Sequence, residues 1–66
     1  MKVTINGESR ELPEGSTISK MLECLELTGR RVAVEVNREI VTRSRHDTTT
    51  LNPGDAVEIV TLVGGG

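Results

Sequence analysis

The residues with the clearest chemical potential are the last three, Gly64, Gly65 and Gly66, which follow a short apolar segment of β type from Ala56 to Val63. Glycine has no Cβ and reaches backbone conformations closed to other residues. A Gly-Gly end can therefore thread a narrow channel and carry its terminal carboxylate to a buried ATP. The alternative is an end that merely frays, as chain termini commonly do. A glycine tail alone does not decide between these two.

No second set of reactive groups competes with it. His46 is the only histidine and stands in a polar stretch without a suitably spaced second ligand, so it reads as a surface residue and no metal site is expected. Cys24 is the only cysteine, which rules out an internal disulfide. It falls at the edge of an apolar helix face and reads as a small packing residue. The other reading is a sulfur-handling thiol, with Lys20 one turn away as the only group placed to favour its thiolate. Gly64 to Gly66 precede no helix, so they do not form a phosphate-binding loop. No pair of carboxylates stands out from ordinary surface acids, and no catalytic residue is expected.

Sixty-six residues are enough for one domain with a modest core. There is no Phe, Tyr or Trp, so that core must be built of Val, Ile, Leu and Met. The many β-branched residues favour a sheet. The missing aromatics also remove the platforms on which single-stranded nucleic acid stacks, so no nucleic-acid partner is expected. Net charge is −2, but it is unevenly spread. Residues 30–46 hold five arginines against two glutamates, a local +3, while the rest of the chain holds three bases against eight acids, or −5. That basic stretch could meet an acidic surface or a phosphate, or could simply be solvated. No segment has the shape of a signal peptide or the length of a membrane span, and the expected setting is cytoplasmic.

The order of elements follows from local pattern. Val3 and Ile5 alternate with Lys2 and Thr4, and Asn6-Gly7 is a strong hairpin signal. Glu8 to Leu12 reads as a polar, edge-type strand closed by Pro13-Glu14-Gly15. Ser16 or Thr17 can cap a helix whose apolar face is Ile18, Met21, Leu22 and Leu25, at i, i+3, i+4 and i+7. Gly29 is placed to end it. Val32, Val34 and Val36 alternate as a third strand. Asn37-Arg38-Glu39 turns the chain into a short return at Ile40-Val41. Thr42 to Thr50 reads as polar and irregular, Asn52-Pro53-Gly54-Asp55 suits a type II turn, and Ala56 to Val63 is the last strand. A short helix with one apolar face must cover a sheet, which gives two layers in an α+β arrangement. Sequence alone leaves the strand order open.

The last strand says more. Val57 and Ile59 are assigned to the core, and Val60 and Leu62 point to the other side. A sheet covered by a single helix has one open face, where Val60 and Leu62 beside the tail would form a docking surface. If this strand were covered on both sides, both sets would be buried instead.

Taken together, these residues resemble the ubiquitin-like β-grasp fold and, more narrowly, the ThiS family. The resemblance runs through Asn6-Gly7, Gly15 with Thr17-Ile18 leading into Met21-Leu22, Val34-Glu35-Val36-Asn37, Glu39-Ile40-Val41, Gly54-Asp55, Val57-Glu58-Ile59-Val60 and Val63-Gly64-Gly65-Gly66. Two departures concern residue choice: Thr42 stands where many members carry proline, and Gly64 occupies a position that varies. The resemblance implies a mixed four- to five-stranded sheet packed on one main helix over residues 1–63, with 64–66 as a flexible glycine tail.

It also implies a protein cosubstrate of thiamine biosynthesis that is not itself an enzyme. A ubiquitin-activating-type (ThiF-like) enzyme would use ATP to adenylate the Gly66 carboxylate, and the carrier itself would hold no cofactor. A persulfide sulfur, drawn from cysteine through a donor such as a cysteine desulfurase, would then convert Gly66 to a thiocarboxylate. Thiazole synthase (ThiG-like) would take that sulfur for the thiazole ring. Gly64 and Gly65 would thread the partner's active site. Other readings are a carrier for molybdopterin or another pathway, a protein modifier joined through Gly66, and an interaction module that binds through Arg43 and Arg45.

Overall fold

Two asparagine-led turns set the hairpins. Asn6 and Gly7 take left-handed backbone angles, φ +52° and +81°. Asn37 and Arg38 do the same at +51° and +70°. Positive φ at both central residues is the turn whose twist matches that of paired strands, and asparagine accepts it better than most side chains. The computed structural model describes residues 1–62. Val63, Gly64, Gly65 and Gly66 lie outside the described residues.

The elements in chain order are β1 (Lys2–Ile5), β2 (Glu8–Glu11), α1 (Ile18–Cys24), β3 (Val32–Val36), β4 (Glu39–Val41), a 3₁₀ turn (Arg43–Arg45) and β5 (Ala56–Thr61). They form one five-stranded sheet ordered β2-β1-β5-β3-β4, with α1 packed on one face. β1 and β5 run parallel; the other pairs are antiparallel. This is the expected β-grasp arrangement. β2 is an edge strand with all four residues exposed, as its polar sequence predicts.

The core lies between the helix and the sheet. Val3 and Ile5 of β1, Val34 of β3, and Val57 and Ile59 of β5 meet Ile18, Met21 and Leu22 of α1. Leu12 and Leu51 complete it from connecting segments. Leu51 is 1% exposed, although it follows directly on a run of polar residues.

That run, read from sequence as irregular, is the cap of the helix. The Ile18 N–H donates to the Thr49 carbonyl (3.1 Å) and the Ser19 N–H to the His46 carbonyl (3.1 Å). The Lys20 N–H donates to Oγ1 of Thr17, the N-cap residue, at 3.1 Å. Three N–H groups that have no partner within a helix are thereby satisfied. Ser16, the other cap candidate, is buried and donates its hydroxyl to the Pro13 carbonyl (2.6 Å).

Three sequence expectations are corrected here. Gly29 does not end the helix. The Glu26 N–H donates to Glu23 O (3.0 Å) and the Leu27 N–H to Leu22 O (2.8 Å), a closure that places Glu26 at φ +59°. Cys24 is exposed and is not a packing residue. It lies about 110° around the helix from the centre of the apolar stripe, at the 100° per residue of an α-helix. His46 is not a surface residue either: it is 6% exposed, and its Nε2 donates to the Val41 carbonyl at 3.0 Å. A buried imidazole satisfied in this way ties the end of β4 to the loop that caps α1.

Candidate functional site

β5 precedes the glycines in sequence and is held on both sides. It is central, paired with β1 on one side and with β3 on the other. Antiparallel pairing with β3 runs from Val36↔Val57 to Val32↔Thr61. Beyond it, the Leu62 N–H still donates to Arg31 O at 2.8 Å. The parallel pairing with β1 is shorter, Thr4↔Ala56 and Ile5↔Val57.

Where β1 stops, a side chain continues the ladder. Asn6 Oδ1 accepts the Ile59 N–H at 2.7 Å, and its Nδ2 donates to the Ile59 carbonyl at 3.2 Å. One amide thereby completes the backbone bonding of a residue 53 positions away. Asn37 does similar work at the start of β5. Its Oδ1 accepts the Ala56 N–H (3.0 Å), its own N–H donates to Ala56 O (2.7 Å), and its Nδ2 donates to Asp55 Oδ1 (3.0 Å). Asp55 in turn accepts the Asn52 N–H through Oδ2 at 2.8 Å, closing the turn in which Gly54 takes φ +86°. The two hairpin asparagines therefore serve twice, once in their own turns and once in fixing β5.

The strand sorts its side chains as its alternation predicts. Val57 and Ile59 are buried, whereas Val60 and Leu62 are 59% and 49% exposed. The register adds two residues that sequence reasoning did not find. Ala33 lies directly opposite Val60, and Ile40 lies opposite Glu35, two positions along the same face of β3. Ile40 is 75% exposed. The signal for Ile40 was a β-branched residue in a short return strand; which face it took depended on pairing. The open face thus carries Val60, Ala33 and Ile40, with Leu62 at its end. The expected roles of Gly64, Gly65 and Gly66 fall outside the described residues.

At the same end of the molecule a groove of about 400 Å³ opens beside Leu62. Leu22, Leu27 and Val32 contribute apolar surface to it, and Arg30, Arg31 and Arg43 line it. Arg45 lines a different, smaller recess together with Glu39 and Asp55. The basic stretch seen in the sequence is therefore split, with Arg30, Arg31 and Arg43 on the groove beside Leu62, Arg45 on the second recess and Arg38 on neither. Among the described residues, no group of three or more His, Cys, Asp or Glu side chains is placed to hold a metal ion. No helix among them is long and apolar enough to cross a membrane.

Comparison with known proteins agrees with this architecture. Residues 3–66 match the model of the ThiS family. The chain is 44% identical over 66 residues to a thiazole synthase of Paramagnetospirillum magneticum, covering all of this chain and 20% of that protein. It thus spans one fifth of the length of the thiazole synthases it matches, 20% in each case. It is 39% identical over 64 residues to the sulfur carrier protein ThiS of Thermus thermophilus, covering 97% of this chain and 98% of that one. A crystal structure of the thiamine biosynthesis protein ThiS from Geobacter metallireducens superposes with a TM-score of 0.84 at 35% identity, over 100% of both chains. A family match across nearly the whole sequence, a relative of matching extent and a shared fold lead to one conclusion: this chain belongs to the ThiS family.

Proposed function

We propose that the chain carries sulfur as a thiocarboxylate on Gly66, made by adenylation in a partner enzyme. The observation that carries this reading is the match of residues 3–66 to the ThiS family, which includes the three glycines. The geometry of β5 supports it. A tail that must enter another protein's active site needs a fixed point of departure, and hydrogen bonds hold β5 and the Leu62 N–H that follows it.

The chemistry belongs to the partners. An oxygen of the Gly66 carboxylate attacks the α-phosphorus of ATP, and pyrophosphate leaves. The acyl-adenylate is now open to attack, because AMP departs readily. A persulfide sulfur displaces AMP, and a thiol cleaves the resulting acyl disulfide, leaving the thiocarboxylate and a new disulfide. Gly64 and Gly65 thread the channel, since a side chain at either position would widen the tail. Val60 and Leu62, with Ala33 and Ile40, dock on the adenylating enzyme. Thiazole synthase is the acceptor. The thiazole synthases of which this chain spans one fifth support that pairing, because there the matching stretch and the synthase share one polypeptide.

The test is the intact mass of the chain before and after incubation with ATP, a ThiF-type adenylating enzyme and a persulfide donor. A gain equal to one oxygen-to-sulfur exchange, located at Gly66 by fragmentation, is expected. An unchanged mass, with the enzyme active on another carrier, would overturn the reading.

A further inference from the structure

We infer that the groove at the root of the tail is an electrostatic docking site for an acidic segment of the adenylating enzyme, at the mouth of the channel that receives the glycines. The inference rests on the carrier reading for its partner. Its own support is the arrangement of charge.

Arg30 and Arg31 stand in the connection before β3, and Arg43 stands at the start of the 3₁₀ turn after β4. The fold brings all three to the groove beside Leu62. Among the described residues, the ion pairs are those of the N-terminal amine with Glu11 and of Lys20 with Glu23, and neither involves these arginines. The one acidic residue on the groove, Asp47, is engaged by the Ser19 hydroxyl. Among the described residues, three guanidinium groups therefore line the groove against one carboxylate, and none of the three is in an ion pair, in a chain whose net charge is −2. Local positive potential on an otherwise acidic protein raises the encounter rate with an acidic patch and disfavours wrong orientations.

The groove also has apolar surface for a partner to cover. Leu22, Leu27 and Val32 border it, and Leu62 joins it to the open sheet face. A partner that covers Val60 and Leu62 would reach the arginines without a gap. Guanidinium suits this place because it presents a planar fork to carboxylates and is weakly hydrated. A nucleotide phosphate at the reacting carboxylate is a poorer candidate. Four residues separate Leu62 from the end of Gly66, and an extended chain spans roughly 13 Å over that length. A tail extended in that way in a partner's channel would carry the reacting end away from the groove.

The experiment measures the Kd of the chain for a ThiF-type enzyme, by titration at several ionic strengths. Three proteins are compared: the wild type, the triple variant Arg30→Glu/Arg31→Glu/Arg43→Glu, and a control of equal charge change, Arg10→Glu/Arg38→Glu/Arg45→Glu. Wild-type binding should weaken steeply with salt. The groove variant should bind roughly ten- to a hundredfold more weakly at low salt, with a flattened salt dependence. Its turnover at saturating carrier should be unchanged. The control should bind within about threefold of wild type. The neutral variant Arg30→Gln/Arg31→Gln/Arg43→Gln should show the same trend with a smaller loss, which covers the case of a charge-reversed protein that folds poorly. Equal weakening by groove and control variants would overturn the inference, as would a groove variant that binds like the wild type. So would uptake of ATP by the carrier alone at these arginines without any effect on binding to the enzyme. The carrier reading is judged separately by mass: sulfur gain without salt-dependent binding removes the groove and leaves the carrier, and the reverse result removes the carrier and leaves the groove.

Discussion

Replacing Asn6 with glycine should weaken β5 while leaving the β1–β2 turn intact. Position 6 sits at φ +52°, and glycine adopts that angle without strain. What disappears is the side-chain amide and its two bonds to Ile59, at 2.7 and 3.2 Å. Ile59 is 8% exposed, so its backbone groups gain only partial access to water in exchange. A protein hydrogen bond contributes about 0.5–1.5 kcal/mol net, and two give about 1–3 kcal/mol. Glycine adds about 0.5–1 kcal/mol of unfolded-state entropy, offset by relief of a left-handed side chain of similar cost. For a domain of this size each kcal/mol moves Tm by about 4–8 °C, so the expected fall is about 5–20 °C. Far-UV circular dichroism or calorimetry is the assay, because the chain has no aromatic residue to follow by fluorescence. Amide exchange gives the local readout: the Ile59 N–H should lose more protection than the global change explains. A variant that melts within about 2 °C of the wild type, with Ile59 still protected, would refute the claim that Asn6 completes the ladder of β5.

Other expected outcomes follow from the same structure. Glu26→Gly should raise stability by about 0.5–1 kcal/mol, because Glu26 closes the helix at φ +59°; a lower melting temperature would show that its side chain contributes more than its backbone costs. Leu62→Asp should change Tm by only a few degrees, since Leu62 is 49% exposed, while raising the KM for the carrier about tenfold in the adenylation assay; a large loss of stability would place Leu62 in the core instead. Gly65→Val should melt like the wild type and resist adenylation, and ordinary acyl-adenylate formation, read by pyrophosphate release, would rule out a channel shaped for glycine.

The parts of this fold legible in sequence are those specified by neighbours along the chain. Asn6-Gly7, the alternation of Val32, Val34 and Val36, and the spacing of Ile18, Met21 and Leu22 each need only a few residues to be read, and each is found where expected. The exposure of Val60 and Leu62 was also legible, because a single short helix can cover one face only. What escaped depends on partners far along the chain. Leu51 is core because its N–H reaches Ser16 O (2.8 Å) and Thr50 bridges Thr17, a contact no local pattern announces. His46 is buried for the same reason, in a loop folded against the helix N-terminus. Glu26 reverses local preference outright, taking the left-handed position at which Gly29 was expected to end the helix. The convergence of Arg30 and Arg31 with Arg43 required β3 and the 3₁₀ turn to be placed first.

The proposed carrier role would set two opposed demands: the end would have to enter a partner, and the body would have to present that end in one direction. The distribution of bonds answers the second demand. β5 is gripped by β1, β3 and the amides of Asn6 and Asn37, which belong to different hairpins. Displacing β5 would break bonds to both hairpins. The loop from Thr42 to Thr50 extends the same logic to the groove. It closes the helix N-terminus through Thr49 and His46, and its first turn carries Arg43 to the side of Leu62. The position of that charge is therefore tied to the helix cap. A change that loosened the cap, such as loss of the His46–Val41 bond, would be felt at the groove before it was felt in β5. Stability and docking should then separate along the chain, with Asn6 governing the strand and the His46 loop governing the arginine beside it.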